Sequence, residues 1–138
     1  YLTGVQYEVG EQATPFEHRS FGEELALCQR YFYKIVSGNS QSFAMGAYYT
    51  GNLLTSDVRY PVTMRTTPTV TFAAGTNYYV AYGGGQGDGF NTFTAVQRGT
   101  PNGCALDCTN EGVSGTQGHG CNLSTNNASS YIHADAEL

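Results

Sequence analysis

Leu2, Val5, Tyr7 and Val9 alternate with Thr3, Gln6 and Glu8 around Gly4, a period of two that predicts a half-buried strand over 1–9. Gly10 ends that pattern, and Pro15 turns Thr14 away from helical backbone, so 10–19 reads as a connector. At Ser20 the period changes. Ser20 and Glu23 have the spacing of a capping box, in which the hydroxyl accepts from an exposed backbone N–H and the carboxylate reaches back to the cap. Glu23 and Glu24 then fall in the first turn, with Arg30 and Lys34 near the far end, the order that suits the helix dipole. With Gly38 as a stop, the spacing predicts a helix over 21–36. Phe21, Leu25, Cys28, Phe32 and Ile35 recur at steps of four, three, four and three, which puts them on one stripe. A stripe of two heptads is compatible with packing on the chain's own domain or with meeting the same helix in other copies.

Beyond residue 42 the pattern is β. Strands are expected at 43–50, 58–65, 68–74, 77–82, 90–97 and 129–136, short runs of β-branched and aromatic residues between turn signals. Pro61 and Pro68 belong at strand starts, edges or bulges. The segment 83–128 has no clear period, and its Gly-rich stretches, 83–89 and 112–120, read as loops. The expected fold class is mainly β: a β-sandwich or jelly-roll knob preceded by one amphipathic helix. Three regions follow: 1–19 as the terminal strand of an upstream domain plus connector, 20–38 as the helix, and 39–138 as the knob. Tyr1 opens inside an apparent strand, so the chain is expected to be a piece of a longer polypeptide.

Composition narrows the function. Only 12% of the residues are charged, and Gly, Thr, Ser, Asn and Tyr cover the surface instead, as in β-rich extracellular or virion proteins. The net charge of −5, with just 6 scattered Lys and Arg, argues against nucleic acid, whose phosphates need clustered cations. No apolar run approaches the roughly 20 residues that cross a bilayer, so membrane insertion is not expected. The amino end also lacks the basic head and apolar core of a secretory leader.

Several segments carry a family likeness. Ala13-Thr14-Pro15-Phe16-Glu17-His18-Arg19, running on to Glu24-Leu25-Ala26-Leu27-Cys28-Gln29-Arg30-Tyr31-Phe32, resembles the C-terminal end of bacteriophage tail-fibre and spike-like virion structural proteins. Pro61-Val62-Thr63-Met64-Arg65-Thr66-Thr67-Pro68-Thr69-Val70 is similar to that family's Pro-x-x-Met-Arg-x-x-Pro-Thr-Val segment. Val5-Gln6-Tyr7-Glu8-Val9-Gly10 resembles the strand that closes a preceding domain. Ala134-Asp135-Ala136-Glu137-Leu138 is similar to a recurring chain end, which implies Leu138 as the carboxyl terminus. These pieces cover about half of the chain, mostly 5–36 and 58–72. The resemblance implies a β-rich distal domain of a fibre, spike or capsid-surface protein on the virion exterior. Its partners would be two further copies of itself, other virion proteins and a host-surface carbohydrate. It also favours the trimer seam for Phe21, Leu25, Cys28, Phe32 and Ile35. It supplies no catalytic residue, and 83–128 departs from the recognisable pattern.

The remaining chemistry is sparse. Cys104, Cys108, His119 and Cys121 are four soft ligands, but their spacing matches no common zinc module, so no metal and no cofactor are expected. A disulfide of Cys104 or Cys108 with Cys121 is the favoured reading, as a staple across a long loop. Cys28 reads as a small buried hydrophobe. No pair of carboxylates is singled out for glycan hydrolysis, and no nucleophile motif accompanies His18, His119 or His133, so an enzyme is not expected. Tyrosines offer flat amphipathic faces for sugar rings, although strand aromatics are more often core or interface. The candidate glycan site is Tyr78, Tyr79 and Tyr82 with Gln86, Asp88 and Asn91, aromatics beside a polar Gly-rich loop. Asp88, in a Gly-Asp-Gly turn, also suits calcium, but turn-making is the commoner use. Asn122-x-Ser124 and Asn127-x-Ser129 are sequons without meaning in a bacterial host. The alternative to a fibre domain is a carbohydrate-binding module that works as a monomer.

Overall fold

The computed structural model describes residues 5, 7, 9–12, 15 and 18–137. One helix, α1 (Phe21–Gln29), precedes ten strands. These are β1 (Phe32–Ser37), β2 (Ser42–Thr50), β3 (Leu53–Arg59), β4 (Thr69–Phe72), β5 (Tyr79–Gly83), β6 (Gln86–Phe90), β7 (Ala95–Thr100), β8 (Gly103–Thr109), β9 (Gly120–Thr125) and β10 (Tyr131–Asp135). They form two antiparallel sheets, one in the order β1-β10-β4 and the other β6-β5-β9-β2-β3-β8-β7. The protein is therefore mainly β, in the manner of a β-sandwich.

Alternation explains which face each strand buries. Leu54, Ser56 and Val58 of β3 oppose Cys108, Leu106 and Cys104 of β8, all six turned inward. From the smaller sheet, Val36, Val70, Ile132 and Ala134 close the same core. An aromatic cluster joins the layers. Phe93, on the link between β6 and β7, meets Phe72 of the smaller sheet at 5.6 Å. It meets Tyr79 and Phe90 of the larger sheet at 5.0 Å and 5.3 Å. Edge-on and tilted rings at these distances add to the large burial each ring contributes. The Tyr79 hydroxyl donates toward the carbonyls of Ala73 and Tyr131, 3.1 and 2.9 Å away, so its polar end is satisfied inside the core.

The helix is shorter than its apolar spacing suggested. The capping box is present, with Ser20 N donating to Glu23 Oε2 (2.8 Å) and Glu23 N to Ser20 Oγ (3.3 Å). Helical backbone ends at Gln29, however, and Phe32–Ser37 is strand β1, paired with β10. The run Tyr31–Val36 is aromatic and β-branched, which favours a pleated surface. Tertiary bonds also take the carbonyls a longer helix would use: Arg65 N donates to Arg30 O (2.8 Å) and Ala136 N to Tyr31 O (2.7 Å). Phe32 and Ile35 are thus strand residues, and Lys34 is not at a helix end.

Other expectations also shift. The strand expected at 58–65 lies earlier, as β3, and 90–97 is split between the end of β6 and the start of β7. The Gly-rich stretch 83–89 is the β5–β6 hairpin, turning at Gly84 (φ 61°) and Gly85 (φ 80°). Two consecutive positive φ angles make the tight turn that matches strand twist, and glycine takes them without penalty. β8 and β9 occupy the region that showed no period. The strand expected over 1–9 lies in part outside the described residues; Val5, Tyr7 and Val9 are exposed and in no strand. Leu138 also lies outside them.

Candidate functional site

At the hairpin end of the larger sheet a small cleft opens, about 240 Å³ in volume. One wall is the β5–β6 hairpin: Gly83, Gly84, Gln86, Gly87 and Asp88. The opposite wall is the link from β8 to β9, through Ser114, Gly115, Thr116 and His119. Tyr48 of β2 lies at its base, buried to 4% exposure.

Two hydrogen bonds fix the acid of this cleft. The Tyr48 hydroxyl donates to Asp88 Oδ2 (3.0 Å), and the backbone N–H of Ser114 donates to the same oxygen (2.8 Å). Burial, then the bond to Asp88, pushes the Tyr48 phenol far above its usual range, so it stays a donor. Two backbone bonds hold the link to β2, Gly118 N to Tyr48 O (2.8 Å) and Tyr48 N to His119 O (3.0 Å), and a third holds it to the β2–β3 turn, Gly115 N to Gly51 O (2.9 Å). Gly115 is required there, because a Cβ would run into the Tyr48 ring.

The structure divides the six residues of the sequence-derived glycan site. Gln86 and Asp88 line the cleft. Tyr79 does not, being fully buried in the aromatic core. Tyr78 packs against that core, with its ring against Gly75. Tyr82 is exposed, its ring over Gly87. Asn91 braces a loop: its Oδ1 accepts from Asn77 N at 3.1 Å and its Nδ2 donates to Glu111 Oε2 at 3.5 Å. Tyr48, Ser114, Thr116 and His119 were not in that set. A tyrosine in a strand reads as core, and 112–120 shows no pattern that would aim it at a hairpin far away in sequence.

All four cysteines are free thiols, which corrects the disulfide expected between Cys104 or Cys108 and Cys121. β2 and β3 stand between β9 and β8 in the sheet. Three strand spacings of about 4.8 Å far exceed the reach of a disulfide. Burial pushes the Cys108 thiol up to about 12 and raises Cys104 and Cys121, so none is a nucleophile at neutral pH. Cys28, expected to be buried, is exposed. Among the described residues no group of three His, Cys, Asp or Glu side chains is placed to hold a metal ion. No helix among them is long and apolar enough to cross a membrane.

The seam residues are likewise divided. Phe21 (82% exposed), Leu25 (44%) and Cys28 stand uncovered on α1, where no residue is buried. Phe32 is 44% exposed on β1, edge-on to His133 at 5.2 Å, while Ile35 packs against the sandwich core. A wider and more open groove of about 660 Å³ runs between α1 and Val62-Thr63, with Leu27 and Arg30 among its lining. The chain matches no family model, no curated protein and no solved structure.

Proposed function

We propose that the protein is a virion structural protein, the distal domain of a fibre or spike or a capsid-surface domain. It assembles as a homotrimer through α1, carries a jelly-roll-like knob on the particle exterior and meets host-surface glycans there. One observation carries this reading: a nine-residue helix buries none of its side chains. Helices shorter than about 12–15 residues are marginal in water unless an apolar face is packed. The cap at Ser20 contributes only about 1 kcal/mol. Phe21, Leu25 and Cys28 therefore need cover, and further copies of the same stripe provide it. Residues 20–30 also lie within the segment that resembles the phage fibre proteins.

The polar cleft supports a binding role. Glycoside hydrolysis uses two carboxyl groups flanking the bond, and the cleft lining holds one, Asp88. The same cleft also suits the second reading, a monomeric carbohydrate-binding module. Light scattering on the intact chain separates the two. Trimers that become monomers on Phe21→Asp plus Leu25→Asp support the assembly reading, whereas a monomeric wild-type chain supports the second.

A further inference from the structure

We propose that the cleft between the β5–β6 hairpin and residues 114–119 takes one neutral, terminal sugar residue end-on and rejects acidic sugars. The inference rests on the glycan-contact reading above and narrows it to a site and a ligand class.

Size sets the first limit. Pockets for drug-sized molecules span about 300–1,000 Å³, and this cleft holds about 240 Å³. It accommodates a single ring. Tyr48, the buried member of the lining, stands with its hydrogen-bonded Asp88 at the inner side, and room for one ring favours an end residue over an internal one.

Charge sets the second limit. Asp88 is the only Asp, Glu, Lys or Arg in the lining. A sialic or uronic acid carboxylate would find no Lys or Arg in the lining and would face the Asp88 carboxylate. Neutral hydroxyls fit the same groups. Both fixed bonds to Asp88 fall on Oδ2. A carboxylate has about four acceptor positions, so Asp88 keeps capacity for ligand O–H donors. The Gln86 amide and the Thr116 hydroxyl each donate and accept, which suits a ring carrying several hydroxyls.

Preorganisation supports the assignment. Asp88 is locked by a phenol and a backbone N–H, so little ordering cost remains at binding. Glycines keep the walls at backbone level. A Cβ on Gly83 would come within 2.7 Å of the Gly120 carbonyl, and one on Gly84 within 3.2 Å of the His119 ring.

The test is a titration of the intact chain, followed by NMR and calorimetry. Its probes are methyl glycosides of neutral hexoses and N-acetylhexosamines, a methyl sialoside, and an oligosaccharide blocked at its non-reducing end. At least one neutral glycoside should bind and the sialoside and blocked chain should not. Gln86→Ala and His119→Ala change exposed residues. Each should weaken that binding about three- to tenfold, the worth of one hydrogen bond, with the oligomeric mass unchanged. Equal or tighter sialoside binding, or neutral-sugar binding untouched by both substitutions, overturns the inference while leaving glycan contact standing. Failure of every sugar to bind overturns both.

Discussion

Helix α1 and the sandwich interior divide the apolar residues of this chain in opposite ways. Around Phe93 four further rings, those of Phe43, Phe72, Tyr79 and Phe90, meet within 6.2 Å, and Phe90 and Tyr79 have no exposed surface. On α1 the largest apolar side chain, Phe21, is 82% exposed. The first arrangement satisfies itself within one chain. On the assembly proposed above a partner completes the second, since exposed apolar residues aligned on a short helix neither stabilise the helix nor favour solubility. On that proposal, fold stability and assembly reside in different residues and can be broken separately.

Thiol chemistry gives the sharpest contrast. In the Phe21→Asp plus Leu25→Asp chain, Cys28 should react with an aromatic disulfide reagent on mixing. Cys104, Cys108 and Cys121 should react at least about a thousandfold more slowly, at the rate at which the sandwich opens. In the wild-type chain Cys28 should also be slowed, in proportion to assembly. Core truncation comes next. Phe93→Ala should cost about 3–5 kcal/mol in urea unfolding, from lost burial and the cavity left behind. Phe21→Ala in a monomeric background should change stability by no more than about 0.5 kcal/mol. If the two cost the same, the division fails.

Smaller effects follow at the edges. Ser20→Ala should cost α1 about 1 kcal/mol, read as faster amide exchange over 23–29 with β2 and β3 unchanged. His133 sits on the outer face of the smaller sheet between Tyr131, stacked at 4.7 Å, and Phe32. Burial, and then Lys34, holds its pKa below the usual 6.5. The unfolded chain then binds the proton more readily, so stability should be full above about pH 6.5 and decline as pH falls through that value and below it. His133→Phe should flatten that decline; an unchanged pH profile in the variant would remove His133 from the account.

Much of the fold was legible. Ser20 and Glu23 marked the helix start, and β2, β4, β5 and β10 followed from short β-branched and aromatic runs between turn residues. The helix end was not legible, because Phe32 and Ile35 fit a heptad while Tyr31–Val36 also fits a strand. Pairing with β10 and the N–H groups of Arg65 and Ala136 decide between them. β8 and β9 were missed because Cys104, Cys108 and Cys121 read as chemistry. Counted as small hydrophobes beside Leu106 and Leu123, they restore the inward alternation of both strands. Of the cleft, Gln86 and Asp88 were visible beside the glycines. Tyr48 reaches it across the sheet by its bond to Asp88, and His119 by a long link, which no local pattern encodes.

Whether α1 awaits copies of itself is read from the solution mass of the intact chain at micromolar concentration. The expected species has three times 14.8 kDa and falls to a single chain when Phe21 and Leu25 both become Asp. A monomer at all concentrations, or a trimer indifferent to those two substitutions, contradicts it.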